Sequence, residues 1–81
     1  MPKHTHNFVE EYNGLVGFGL NRETDEKTVI YYLQKFSDDK MMNKIIGRLT
    51  DKELEEIFLF INTILKKHLI EEEYHKLFLK D

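Results

Sequence analysis

His68, Glu72 and His75 are the residues whose spacing comes nearest to a chemical site. They stand at i, i+4 and i+7, so an unbroken helix brings two imidazoles and a carboxylate onto one face. Glu72 with His75 also makes the E-x-x-H step by which carboxylate-rich helical bundles hold metal ions. Such a centre needs a second E-x-x-H and further carboxylates on facing helices, and no other E-x-x-H occurs in the chain. A metal or small-ligand site on His68, Glu72 and His75 is therefore the lesser of two expectations, and one symmetric ion between two protomers is compatible with it. His4 and His6 flank Thr5, and an H-x-H pair can hold a metal in a strand, where alternate side chains share a face. Here they read as polar residues of a frayed segment, 1–6.

Nucleophiles are scarce. The chain has no cysteine, which removes disulfides, thiolate catalysis and Cys-based zinc or iron–sulfur centres. Ser37 is the only serine, and it stands with Thr24 and Thr50 where helix caps are needed. Eighty-one residues leave little room for a pocket that excludes water, so the expectation is a non-enzymatic protein without a cofactor. The net charge of -3 and the presence of only two arginines, Arg22 and Arg48, argue against nucleic acid. Lys40, Lys44 and Arg48 do form a basic row at i, i+4 and i+8, which reads as a solvated face or as a contact for an anionic partner. Two helices joined by a short turn near Thr50 have the outline of a helix-turn-helix. The second of them, however, opens with four acids in DKELEE, where base-edge donors would be required.

The longest element, at about residues 51–69, must position most of these side chains. Thr50 followed by Glu53 is a capping box, and Leu54, Ile57, Phe58, Ile61, Ile64, Leu65, His68 and Leu69 recur at spacings of three and four. That stripe predicts a core-facing helix. Thr24 is expected to cap a helix from Asp25 to about Phe36, whose main stripe is Val29, Tyr32, Leu33 and Phe36. Ser37, Asp38 and Asp39 restart the chain as a third helix ending between Gly47 and Leu49. NFVEEY, from Asn7 to Tyr12, predicts one or two turns with Asn7 as cap and Phe8, Val9 and Tyr12 facing inward.

Residues 13–23 are a glycine-rich loop, with Gly14, Gly17 and Gly19 set among Leu15, Val16, Phe18 and Leu20. G-x-x-G-x-G reverses the dinucleotide fingerprint and follows no strand, so no phosphate loop is expected. The loop either tucks its apolar side chains against the helices or docks them into a partner. At the other end, IEEEYHKLFLKD poses a geometric problem. Continued as one helix, Ile70, Tyr74, Leu77 and Phe78 would face away from the stripe of Leu54 to Leu65. Either the chain turns near Leu69 to Glu71, which folding the tail onto its own core favours, or the helix runs on and its end packs on a second molecule.

These elements predict an all-α fold, a small orthogonal or irregular bundle of four to five helices in a single domain over residues 1–81. A hydrophobic content of 41% is ordinary for a folded chain, yet a chain this short buries only roughly 60–65% of its unfolded surface, which favours self-association. No apolar run approaches the roughly 18 residues of a membrane-spanning helix, and no secretory leader is visible, so a cytoplasmic protein is expected. The functional expectation is a homodimeric protein–protein interaction or regulatory module. Its interface is expected at Ile30, Tyr31, Leu59, Phe60, Leu77 and Leu79, large apolar side chains that one small core cannot all cover.

Overall fold

The computed structural model describes residues 6–81, so His4 and, His6 apart, the expected fraying of residues 1–6 lie outside the described residues. Among the described residues the chain is all-α, with no strand. It divides into two units, Met1–Arg48 and Leu49–Asp81.

The first unit holds α1 (Asn7–Glu11), α2 (Arg22–Phe36) and α3 (Asp39–Ile45), the last tightening into a 3-10 turn over Ile46–Arg48. Its caps differ from expectation by one to three residues. α1 starts after His6, with Asn7 already helical. α2 starts after Asn21, whose side-chain oxygen accepts from the Thr24 N–H at 2.8 Å, so Thr24 supplies the donor rather than the cap. α3 is capped by Asp38, which accepts from the Lys40 N–H, while Ser37 closes α2. Lys40 and Lys44 lie in α3 and Arg48 in the 3-10 turn that follows it.

α1 packs on α2 through aromatic rings and one backbone bond. Phe8 stacks on Tyr12 with ring centroids 5.1 Å apart, Tyr12 tilts against Tyr31 at 5.9 Å, and Lys35 Nζ lies 5.1 Å from the centre of the Tyr31 ring. The Val9 N–H donates to Gln34 Oε1 at 3.1 Å, and Val9 is buried, at 6% exposure. α2 therefore turns Tyr31 and Gln34 toward α1. Of the expected core stripe, Phe36 is half-buried but Val29, Tyr32 and Leu33 are exposed, because a five-residue helix covers only one side of a helix that is apolar most of the way round.

The second unit holds α4 (Asp51–His68) and a tail that begins as α5 (Glu71–Glu73) and widens into a π-helix over Tyr74–Leu79. The capping box of α4 is formed in full: the Thr50 hydroxyl accepts from the Glu53 N–H at 3.1 Å, and the Glu53 carboxylate accepts from the Thr50 N–H at 2.9 Å. The helix stops at His68, and Leu69 and Ile70 are extended, with φ of -118° and -82°. Helical structure then resumes, with Glu73 accepting from the Ile70 N–H at 3.1 Å. The turn thus falls where the two apolar faces disagree.

Candidate functional site

Each unit carries one surface of unusual chemistry. In the first it is the glycine-rich loop. Four hydrogen bonds fix the main chain of this loop. The Gly17 N–H donates to Thr28 Oγ1 at 3.0 Å, the Thr28 hydroxyl lies 3.1 Å from the Gly17 carbonyl, the Gly19 N–H donates to Asp25 Oδ1 at 2.8 Å, and the Tyr12 hydroxyl donates to the Leu15 carbonyl at 2.7 Å. Thr28 is the most buried described residue, at 5% exposure, and it pairs with both backbone groups of Gly17 much as a neighbouring strand would. With the main chain held inward, the side chains point outward. Leu15, Phe18 and Leu20 are exposed, Phe18 at 73%.

Two glycines permit this path. Gly19 has φ of +96°, a region that side chains disfavour, and a Cβ on Gly14 would lie 2.6 Å from the Tyr12 hydroxyl. Phe18 then overhangs α2 between two shallow grooves, one shared with Val29, Tyr32 and Leu33 and the other with Arg22, Glu26, Val29 and Ile30. Arg22 Nε lies 2.7 Å from Glu26 at the edge of the second groove, and this hydrogen bond, followed by the charge of Glu26, raises the arginine's pKa. The tucked arrangement, the favoured expectation for this loop, is not adopted: Leu15, Val16, Phe18 and Leu20 are exposed.

The surface of the second unit is α4 itself. Residues 51–61 are exposed throughout, and the expected core stripe of Leu54, Ile57, Phe58, Ile61 and Ile64 is open, with Phe58 at 67% exposure. Leu65 and Leu69, further along, are half-buried near the break. There Asn62, Leu65, Lys66, Leu69, Ile70, Glu71 and Tyr74 line an open cleft of about 330 Å³. In the tail Tyr74 stacks on Phe78 at 5.5 Å.

The expected interface residues fall into two groups. Ile30, Leu59, Phe60, Leu77 and Leu79 are exposed, as a contact surface requires. Tyr31 is half-buried and already committed to Tyr12 and Lys35. Lys40, Lys44 and Arg48 are exposed.

The break at Leu69 and Ile70 removes the helical register that would align His68 with Glu72 and His75. His75 turns to other carboxylates, with Nε2 lying 3.5 Å from Glu71 and Nδ1 lying 3.2 Å from Asp81. Among the described residues no group of three His, Asp or Glu side chains is placed to hold a metal ion. Thr28 and Asp25, which fix the loop, were not legible as functional residues. Their only sequence signal is a pair of small polar side chains on the helix that follows a glycine-rich loop.

No protein-family model, curated protein or solved structure matches the chain. Among the described residues no helix is long and apolar enough to cross a membrane.

Proposed function

We propose that the chain is a non-enzymatic protein–protein contact module that works as a homodimer. The observation that carries this is the open stripe of α4. A helix with a continuous apolar stripe draws most of its stability from covering that stripe, and within its own unit α4 covers only the end near Leu65 and Leu69. Single exposed apolar residues are ordinary, but a row of Leu54, Ile57, Phe58, Ile61 and Ile64 is a surface made to be covered. Phe60 widens that surface beside Ile64, while Leu59 stands exposed on the opposite side of the helix and Leu77 and Leu79 are exposed in the tail.

The loop offers a second surface of a different kind. Phe18 is a rigidly seated aromatic anchor, because hydrogen bonds to Thr28 and Asp25 have already ordered its main chain. Together with Ile30, Val29, Tyr32 and Leu33 it forms the face we assign to a protein partner.

Substitution separates the two surfaces. Phe58→Glu is expected to reduce the solution mass to that of the monomer while far-UV circular dichroism keeps its helical shape. Phe18→Asp is expected to leave the dimer mass unchanged. A dimer that survives Phe58→Glu would contradict the proposal, and a wild-type dimer that dissociates in EDTA would transfer the contact to His68, Glu72 and His75.

A further inference from the structure

We infer that α4 pairs with α4 of a second copy, antiparallel, about a two-fold axis beside Phe60. The inference rests on the contact-module proposal and adds the direction and register of the pairing. It comes from a symmetry in the helix that neither the stripe nor the charge shows alone. When α4 is reversed about a point near Phe60, its apolar residues fall on one another. Leu54 meets Leu65 of the partner subunit, Ile57 meets Ile64 of the partner subunit, and Phe58 meets Ile61 of the partner subunit, all within one residue of a common centre. The same reversal brings Glu53 toward Lys67 of the partner subunit along one edge of the stripe, at about 100° per residue, whereas Lys52, Glu55, Glu56 and Lys66 lie on the outer side.

The charges decide the direction. α4 carries Asp51, Glu53, Glu55 and Glu56 in its first turns and Lys66, Lys67 and His68 in its last. A parallel pair would stack acid on acid and base on base. An antiparallel pair sets each acidic end beside a basic one, and opposes the two helix dipoles. The resulting contact is isologous and closed, so it stops at two copies. Covering the exposed parts of the stripe on both helices removes on the order of 1,000 Å² from water, the lower bound for a specific interface.

Cross-linking tests the register in the full chain, because the natural sequence contains no cysteine. Leu54→Cys and Leu65→Cys are made separately, shown by circular dichroism to keep the wild-type helix content, mixed, allowed to exchange and oxidised with glutathione disulfide. The antiparallel pair gives one dominant covalent dimer in the mixture, joining positions 54 and 65, and little from either variant alone. Strong 54–54 and 65–65 products from the separate variants would overturn the register but leave the contact module standing. A strictly monomeric chain would overturn both.

Charge exchange supplies a second readout at exposed positions that folding does not need. Lys67→Glu sets a carboxylate beside Glu53 of the partner subunit and is expected to raise the dimer dissociation constant about threefold to tenfold, whereas Lys52→Glu, the same charge change on the outer side, is expected to leave it within about twofold. Equal effects of the two exchanges would overturn the pairing.

Discussion

At the scale of the residue, Thr28 decides how the first unit presents itself. Its hydroxyl is buried between α2 and the loop and engages both main-chain groups of Gly17. Thr28→Val keeps the shape and removes both bonds, so it is expected to destabilise the first unit by about 1–3 kcal/mol while Thr28→Ser costs less, as measured by urea unfolding. Gly19→Ala is expected to cost about 1 kcal/mol or more, since φ is +96° there. A loop whose glycines merely tolerated substitution would contradict the clamped path. None of this was legible from residue types. A threonine inside a helical pattern looks the same whether its hydroxyl meets water or a backbone eleven residues away, and only the fold supplies the partner. Asn21 was more accessible: it stands three residues before Thr24, the spacing at which a cap meets its donor.

At the scale of the element, the strongest local signal, the capping box of α4, falls where the sequence places it, while the caps of α1, α2 and α3 are displaced by one to three residues and distant contacts were not legible. The start of α4 lay in two residues, Thr50 and Glu53, and both bonds of the capping box form. Thr50→Ala should therefore cost about 1 kcal/mol, visible as a lower helix signal at 222 nm on mild heating. The break after His68 was legible from the opposed faces of Leu65 and Tyr74, although no glycine or proline marks it, because one helix cannot bury both sides in one core. The fate of the stripes was not legible. Periodicity says that Val29, Tyr32 and Leu33 share an arc, and that Leu54 to Ile64 do, but not what covers them. α1 took the neighbouring arc of α2 through Tyr12 and Gln34, and the stripe of α4 stayed open. The same break dismantles the alignment of His68, Glu72 and His75, whose spacing was meaningful only on a continuous helix.

At the scale of the whole molecule, the exposed stripe is the fact from which the functional proposal grows. Single small cores rarely suffice at this chain length, and association is one of the ordinary remedies. The homodimer proposal places that remedy on α4 and leaves the Phe18 face available to a protein partner. Self-association was expected from the surplus of large apolar side chains, but its location was read at Ile30, Tyr31, Leu59, Phe60 and the tail residues Leu77 and Leu79. The open stripe moves the proposed centre to Phe58 and Ile61, with Leu59 on the opposite side of the helix. The most direct measurement is the solution mass by light scattering across a wide range of protein concentrations, with and without EDTA. The proposal predicts a mass near twice the 9.8 kDa protomer that falls only on dilution and ignores the chelator. A mass of one protomer at every concentration would contradict it.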